Sequence, residues 1–393
     1  MKTIRLFGDL NYGSGYNTAL RGLVQTLETI GYTPETLRVI GVSANVLYRE
    51  FETYDWLANY VYQDWPHDSE DINLVMTNPG MVDNYYTSCG NRYNIAYCAW
   101  ETDRLPKLTW VRDGETRDCV VALNQYAEVW VPTSHVKNVF EQSGVTAPIH
   151  VVRHVLLRGL LAASASKLAS RVTRSASHRD FYTIGSWNAR KNVEGLIRAY
   201  FAVGWNVESP VHLACHCVPA TRDEGTMQSM SWIAQEGAKN LYMSASNAGV
   251  LPPFGLLTTA RSYEEMYAFH RQHNIFVTAS RGEGFCLPVV EALAFGNQVI
   301  ASGPWLDDLR TVVFDDGSLV IVPVQNVPIT PMPECRGYEL DHRWWEPDFD
   351  KLVAALRAAT GCCDPHTASA VREHYSPAAV GLVVKERLEA INA

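Results

Sequence analysis

Residues 281–296 combine glycines, carboxylates and a helix start in a pattern suited to an anionic ligand. Gly282 and Gly284 allow the backbone to approach a ligand closely and to turn N–H groups toward it. The apolar residues that follow predict a helix, whose N-terminus attracts negative charge. Two carboxylates, Glu283 in the loop and Glu291 in the first helical turn, would repel phosphate itself. We therefore expect them to accept hydrogen bonds from hydroxyls on either side of a diphosphate, such as those of a sugar and a ribose.

A second candidate feature is the adjacent pair Arg190 and Lys191, which follows an apolar stretch and precedes a helical pattern. Cations at a helix start oppose the helix dipole unless an anion lies there. Arginine also forms strong charge-assisted hydrogen bonds to phosphate oxygens. Alone, such a pair is usually solvated, but together with the loop at 281–296 it predicts a diphosphate site.

Four potential metal ligands occur close together, at His212, Cys215, His216 and Cys217. The surrounding stretch is short, apolar and bounded by prolines, which predicts a buried strand. Alternation places the two cysteines on one face of that strand and the two histidines on the other. Four ligands on opposite faces cannot close around one ion, so we expect no metal site here. Separately, we expect no cofactor.

These candidate residues depend on strand and helix patterns that alternate along the chain and restart after residue 180. The expected strands span residues 3–9, 94–99, 128–132, 149–152, 181–187, 211–218 and 274–279. Expected helices end at Gly31, Gly144, Gly204 and Gly296, and Ser134 is expected to cap the second of them. A last helix is expected over 377–392. Alternation with short loops predicts an α/β fold with two doubly wound parallel sheets.

The same patterns predict how the domains are arranged. We expect an N-terminal Rossmann-like domain over 1–155 and a C-terminal Rossmann-like domain over 180–376. A basic junction rich in Ala, Ser and Arg lies between them at 156–179, and the helix within 377–393 is expected to pack back on the first domain. Ligands bind at the carboxyl ends of strands in such sheets, so two domains facing across a cleft predict a nucleotide or phosphate ligand.

The composition excludes several classes of protein. The chain has 393 residues, of which 47% are hydrophobic, and a formal charge of −9, which disfavours indiscriminate binding of nucleic acid. No uninterrupted apolar run approaches the roughly 18 residues of a membrane span. The first residues turn polar too early for a secretory signal. Nine cysteines at irregular spacing do not form a disulfide framework, so we expect a cytoplasmic protein.

The spacing of Glu283 and Glu291 resembles the E-x7-E signature of retaining family-4 glycosyltransferases of GT-B fold. Arg190 and Lys191 resemble the pair that grips the donor diphosphate in that family. The stretches 97–106 and 129–134 are also similar to bacterial members. The chain departs from the family at Cys286, where glycine is common, and at 153–156, where Arg-His-Val-Leu replaces Pro-His-Gly-Val. It also has Trp100-Glu101 where many members have a histidine.

The resemblance implies metal-independent transfer of a sugar from a UDP- or GDP-sugar, with UDP favoured, to a hydroxyl acceptor with retention of configuration. It implies that the first glutamate touches the transferred sugar and the second the ribose. It also implies an acceptor-side role for the domain at 1–155 and a donor-binding role for the domain at 180–376. The implied catalytic residues are Glu283, Arg190 and Lys191. Glu101, where the chain departs from the family, is a further catalytic candidate for orienting an acceptor hydroxyl. The implied donor-binding residues are Gly13, Ser14, Gly15, Arg190, Lys191, Gly284, Phe285, Cys286, Leu287, Glu291, Leu257 and Arg261. Attack is expected on the front face, with the leaving phosphate assisting and without a covalent nucleophile.

The acceptor is left open, with Trp100, Glu101, Arg171 and Arg174 as acceptor-side candidates. Residues 153–179 contain six Lys and Arg and no acid. Such a run suits a phosphate-rich acceptor, for example duplex DNA with hydroxymethylated bases, as modified by phage-type glycosyltransferases. A flexible basic linker explains it equally well, and glycans or lipid-linked sugars are commoner acceptors in the family. A non-catalytic nucleotide-sugar sensor is a further alternative, against which the intact motifs argue.

Overall fold

The computed structural model describes residues 2–10, 14–41, 56–61, 71–83, 93–109, 116–170, 179–205, 211–217, 224–246, 252–259, 261–329 and 338–392. The chain divides into two units. The first unit comprises Met1–Arg158 and His374–Ala393, and the second unit comprises Gly159–Glu373. The C-terminal helix thus belongs to the first unit.

Each unit is built on a parallel six-stranded sheet, as the alternating pattern predicts. In the first unit the strand order is β2-β1-β3-β4-β5-β6, and in the second it is β12-β11-β10-β7-β8-β9. The strands of the first unit are β1 (Ile4–Gly8), β2 (Leu37–Gly41), β3 (Ile72–Met76), β4 (Tyr93–Tyr97), β5 (Glu128–Val131) and β6 (Ile149–Val151). Those of the second are β7 (Arg179–Ile184), β8 (Val211–His216), β9 (Phe254–Leu257), β10 (Ile275–Val277), β11 (Gln298–Ser302) and β12 (Leu319–Val322). An antiparallel hairpin follows, formed by β13 (Val324–Pro328) and β14 (Arg343–Pro347).

The helices cover the sheets and separate successive strands. In chain order they are α1 (Gly15–Thr29), α2 (Cys119–Leu123), α3 (Ser134–Gln142), α4 (Arg158–Ser170), α5 (Val193–Ala202), α6 (Glu224–Ser246), α7 (Tyr263–Gln272), α8 (Leu287–Ala294), α9 (Asp307–Arg310), α10 (Phe349–Ala358), α11 (Pro365–His374) and α12 (Pro377–Asn392). Strands β1 and β3 are buried along their whole length, which is typical of parallel sheets covered on both faces.

Local signals account for the ends of several helices. The glycines at 31, 144, 204 and 296 follow α1, α3, α5 and α8, and all four have positive φ. Glycine adopts this conformation without steric cost and so ends a helix. The expected cap at Ser134 is wrong by one residue, because the hydroxyl of Thr133 accepts the N–H of Val136 at 3.2 Å and Ser134 begins α3.

Helix α12 packs against α1 and completes the core of the first unit. Val380, Val384 and Leu388 are buried in the cluster that also holds the apolar face of α1. The Thr29 hydroxyl donates to the carbonyl of Pro377 at 3.2 Å. A Cβ at Gly381 would come within 2.6 Å of the Thr29 hydroxyl oxygen, so glycine is needed where the helices approach.

The basic segment at 156–179 contains a helix, α4, where the sequence suggested a junction. The ammonium of Lys167 donates to Asn297 Oδ1 at 2.5 Å and lies within 3.3 Å of the carbonyl of His270. The guanidinium of Arg158 lies 2.5 Å from the carboxylate of Glu28 in the first unit. Lys167 and Arg158 of this basic run therefore pair with groups of the protein itself. Arg171 and Arg174 lie outside the described residues.

The potential metal ligands of β8 and the residue after it divide between two environments, as alternation predicts. Cys215 and Cys217 lie in the core of the second unit, and burial raises the pKa of both thiols. His216 is buried elsewhere, with its Nε2 3.1 Å from the carbonyl of Thr259. Throughout the described ranges, the helices include none long and apolar enough to cross a bilayer.

Candidate functional site

Strand pairing brings the two sequence motifs of the second unit together. Strands β7 and β10 are parallel neighbours, with Phe181 opposite Ile275. The loops that follow them, 185–192 and 278–286, therefore emerge at the same edge of the sheet. The N–H of Arg281 donates to the carbonyl of Arg190 at 2.7 Å, and the Asn192 amide donates to the carbonyl of Ala279 at 3.2 Å. These hydrogen bonds connect the two loops.

Glu283 lies between the two cations of the other loop. Lys191 Nζ is 2.5 Å from Glu283 Oε1, and Arg190 Nη1 is 3.3 Å from Oε2. The Ser280 hydroxyl also donates to Oε1, at 2.7 Å. Glu283 is 6% exposed. The structure thus brings together three residues implied as catalytic. The carboxylate of Glu283 forms an ion pair with each of the two cations.

The surroundings of Glu283 determine its charge. Burial alone would raise the pKa of this carboxyl, but the charges of Lys191 and Arg190, with hydrogen bonds from Lys191 and Ser280, hold the pKa below its ordinary value of 4.5. Glu283 is therefore ionised at neutral pH, and the site presents one fixed negative charge and two fixed positive charges.

Both loops end in an unusual backbone conformation at a helix start. Asn192 precedes α5 with φ of +50°, and Cys286 precedes α8 with φ of +66°. Within the described chain these are the two non-glycine residues with positive φ, and neither side chain caps its helix. The left-handed region costs a residue with a Cβ roughly 1–2 kcal/mol. Strain of this kind gathers at functional sites, and uncapped helix starts can bind anions.

The end of the loop that contains Gly282 and Gly284 is buried. Phe285 and Cys286 are each 7% exposed, and Leu287 is the first residue of α8. Burial, with the nearby charge of Glu283, raises the pKa of the Cys286 thiol to about 12, so the thiol stays protonated. Gly282 and Gly284 do not have the positive φ found at seven other glycines of the described chain. The carbonyl of Gly282 accepts a hydrogen bond from Arg190 Nη1 at 2.7 Å.

Glu291 lies in the second turn of α8, four residues beyond its start, and not in the first turn as the sequence suggested. The difference arises because the helix begins at Leu287. The Glu291 side chain is 18% exposed, and its Oε2 lies 3.4 Å from Nε2 of the buried His270. Sequence reasoning did not identify His270.

Two further candidates are placed at the same carboxyl edge of the sheet. Leu257 ends β9, which is two strands from β7 in the sheet order, and it is half-buried. Arg261 follows shortly after, with its guanidinium carbon 5.5 Å from the ring centre of Phe269. The resemblance implies that both residues bind the donor near its nucleobase.

The candidates of the first unit lie after β1 and β4. Ser14 caps α1 by accepting the N–H of Asn17 at 2.9 Å, and its hydroxyl donates to the carboxylate of Asp9 at 2.7 Å. Gly15 has open space where a Cβ would stand, so packing does not require glycine there. Gly13 falls outside the described residues.

The loop after β4 carries Trp100 and Glu101. Trp100 is 1% exposed, and its indole N–H donates to the carbonyl of Arg104 at 2.6 Å. This burial favours a structural role for the ring in shaping the loop. Glu101 follows immediately and is half-buried.

Sequence reasoning did not identify Arg281, whose side chain connects the Glu283 loop to other segments of the second unit. The guanidinium of Arg281 donates to the carbonyl of Ala189 at 2.7 Å and to the carboxylate of Glu346, and it lies over the ring of Trp344 at 5.3 Å. Trp344 is buried. A charged residue next to the motif was the available signal, but its partner is 65 residues away.

The chain is similar to known proteins in part of its sequence and in its fold. Residues 225–304, which include the Glu283 loop and α8, match the family model described as Glycosyl transferases group 1. Among curated proteins there is no match to this chain. The structure is similar to that of trehalose-6-phosphate synthase OtsA, with a TM-score of 0.65 at 11% identity over 99% of both chains.

Two further solved structures are similar over nearly their whole length. HepE from Anabaena, in complex with UDP and glucose, has a TM-score of 0.64 at 12% identity, covering 99% of this chain and 100% of that chain. Sucrose-phosphate synthase from Thermosynechococcus elongatus has a TM-score of 0.62 at 14% identity, covering 100% and 99%. Similarity at these identities establishes the fold, and the chain has the GT-B fold with a glycosyltransferase group 1 sequence pattern in its second unit.

Proposed function

We propose that this protein transfers a sugar from a nucleoside-diphosphate sugar to a hydroxyl acceptor, with retention of configuration. The observation that carries the proposal is the position of Glu283, held between Lys191 and Arg190 where α5 and α8 begin. A carboxylate next to two cations and two uncapped helix starts suits a ligand that has hydroxyls on one side and phosphates on the other.

In this proposal the two cations bind the donor diphosphate and Glu283 binds a hydroxyl of the transferred sugar. When the donor enters, its phosphate oxygens compete with Glu283 for Lys191 and Arg190. The carboxylate oxygens then become available to accept hydrogen bonds from the sugar. Glu291 accepts a hydrogen bond from the ribose, and the loop near Leu257 faces the base.

The chemistry follows from where charge develops. The bond between the sugar anomeric carbon and the phosphate oxygen breaks, and its electron pair moves to the leaving diphosphate. The acceptor oxygen forms the new bond on the same face, and its proton passes to the leaving phosphate oxygen. Arg190, Lys191 and the starts of α5 and α8 stabilise the charge that develops on the diphosphate, each donor contributing about 3 kcal/mol in comparable sites. We propose that these groups supply the charge neutralisation without a metal ion.

UDP is the favoured nucleotide, supported by the HepE structure that contains UDP and glucose. The acceptor hydroxyl belongs to a glycan, a lipid-linked sugar or hydroxymethylated DNA. Lys167 and Arg158 of the basic run bond to protein groups, so a DNA acceptor would rely on other cations of that run. Glu101 is proposed to orient the acceptor hydroxyl.

A nucleotide-release screen tests the proposal. Purified protein is incubated with UDP-, GDP- and ADP-sugars in the presence of EDTA, with and without duplex DNA that contains 5-hydroxymethylcytosine. Slow release of one nucleotide in every mixture supports the transferase and directs the acceptor search to glycans and lipids. Release that requires the modified DNA identifies donor and acceptor together. Binding without release from any donor would replace the enzyme by a nucleotide-sugar sensor, and release only after metal is restored would contradict metal independence.

A further inference from the structure

A chain of polar side chains runs through the interior of the second unit and ends at Glu291. Lys167 Nζ lies 2.5 Å from Asn297 Oδ1, and Asn297 Nδ2 lies 2.7 Å from the hydroxyl oxygen of Tyr182. That hydroxyl lies 2.8 Å from Nδ1 of His270. His270 Nε2 then lies 3.4 Å from Glu291 Oε2. Asn297, Tyr182 and His270 are all buried.

The chemistry of these groups fixes the direction of each hydrogen bond. An ammonium only donates, so Lys167 sets the amide of Asn297 with its oxygen toward the lysine and its NH₂ toward Tyr182. The NH₂ also donates to the carbonyl of His270 at 2.8 Å. The hydroxyl of Tyr182 therefore accepts from Asn297 and has its own proton left to donate to His270 Nδ1. Burial raises the pKa of Tyr182 well above its ordinary value, which keeps that proton in place.

A neutral His270 that accepts at Nδ1 must carry its proton on Nε2, the nitrogen that faces Glu291. The imidazole cannot turn away, because it stacks on Phe295 with ring centres 5.3 Å apart and planes within 5°. Glu291 lies in α8 and Phe295 directly follows that helix. The N–H of Phe295 donates to the carbonyl of Glu291 at 3.1 Å, so the ring on which the imidazole stacks is connected to the residue that carries the carboxylate.

The contact between His270 and Glu291 is incomplete as it stands. Nε2 is buried and has no hydrogen-bond partner among the described residues, although a carboxylate oxygen lies 3.4 Å away. Buried donors are usually satisfied, and hydrogen bonds of a binding site are often long in the free protein and shorten in the complex. Glu291 itself is partly exposed, so one oxygen can face the imidazole while the other faces a ligand.

We propose that His270 is a positioning residue that holds one oxygen of Glu291 so that the other selects a ribose hydroxyl of the bound nucleotide. Asn297 and Tyr182 set the imidazole tautomer for this task. The inference rests on the proposed function, because it specifies how that site distinguishes a ribonucleotide from a deoxyribonucleotide.

Two substitutions at His270 separate positioning from packing. In His270→Gln the amide nitrogen reaches the position of Nε2, whereas in His270→Asn it reaches only that of Nδ1. Both remove the stacked ring, and they differ by one methylene group. Calorimetry with UDP and GDP, and with their 2′-deoxy and 3′-deoxy forms, measures the preference for each ribose hydroxyl. Inorganic pyrophosphate serves as the control ligand, since it meets Arg190 and Lys191 without a ribose.

Wild-type protein and His270→Gln are expected to prefer a ribonucleotide by about tenfold or more, and His270→Asn is expected to lose most of that preference with unchanged pyrophosphate affinity. Equal preference in wild type and His270→Asn would overturn the inference and leave the proposed function standing. Wild-type binding without any ribose preference would also overturn it. Failure of wild-type protein to bind UDP, GDP or pyrophosphate would overturn the proposed function itself. If His270→Asn does not fold, Tyr182→Phe is measured in its place, because it keeps the ring and removes the donor to Nδ1. It is likewise expected to lose most of the ribonucleotide preference with unchanged pyrophosphate affinity.

Discussion

The ammonium of Lys191 lies 2.5 Å from a carboxylate oxygen of Glu283, and the two residues are 92 positions apart in the sequence. The two side chains are implied to bind different parts of one donor, a phosphate and a sugar hydroxyl. Their direct contact places one negative charge against the positive charges of Lys191 and Arg190. In the proposed function, the diphosphate takes the place of the carboxylate at the cations, and the carboxylate binds the sugar.

Replacing Glu283 by Gln should separate catalysis from nucleotide binding. We expect transfer to fall by at least about 100-fold, as when one preorganised polar group of an active site is removed. Affinity for UDP or GDP should be unchanged or tighter, because Lys191 and Arg190 no longer bind a carboxylate. Turnover and calorimetry measure the two effects. Glu236→Gln on the exposed face of α6 is the matched control, and wild-type turnover by the Glu283 variant would remove it from the catalytic residues.

Removing the cations should have the opposite effect on nucleotide binding. The double variant Arg190→Ala and Lys191→Ala is expected to weaken UDP or GDP binding by about 3 kcal/mol or more, the contribution of two charge-assisted hydrogen bonds. Arg198→Ala is a suitable control, because its guanidinium lies nearby on α5 but pairs with Glu194 on the surface. Calorimetry that shows equal affinity in the double variant and wild type would exclude this pair as the phosphate site.

The ion pairs of Glu283 should make stability depend on acidity. Because its pKa in the folded protein lies below 4.5, the unfolded chain binds a proton first as the pH falls. The stabilisation is therefore complete above about pH 4.5 and is lost as the pH falls through the lowered folded pKa. Urea unfolding of wild type and Glu283→Gln across this range measures it. We expect the advantage of wild type to shrink with acidification, and a constant difference would show that the pair does not titrate as described.

The left-handed backbone at Cys286 predicts an inverted preference for glycine over alanine. Alanine is usually the more stabilising of the two by roughly 0.5–1 kcal/mol in regular structure. At φ of +66° the Cβ is strained, so Cys286→Gly should be more stable than Cys286→Ala by about 1 kcal/mol. Urea midpoints compare the two variants, which both lack the thiol. A more stable alanine variant would contradict the strain at this residue.

Local sequence patterns were sufficient to predict the alternating strands and helices and the ends of many helices. These features depend on neighbours within a few residues, such as the apolar alternation of β8 or the glycine at 31 that ends α1 with a positive φ. The spacing of Glu283 and Glu291 also lies within one loop and one helix. Local chemistry was therefore enough to predict two doubly wound sheets and to select the second unit as the place of the motifs.

The contacts between these motifs depend on tertiary structure and could not be predicted from local sequence patterns. Strands β7 and β10 become neighbours because parallel pairing buries both, and this places Lys191 against Glu283. The contact of His270 with Glu291 depends on how α7 and α8 pack over the same sheet, which no local pattern encodes. The sequence supplied residues with the right chemistry. Their partners were set by long-range burial, because most of the free energy of folding comes from packing between distant segments.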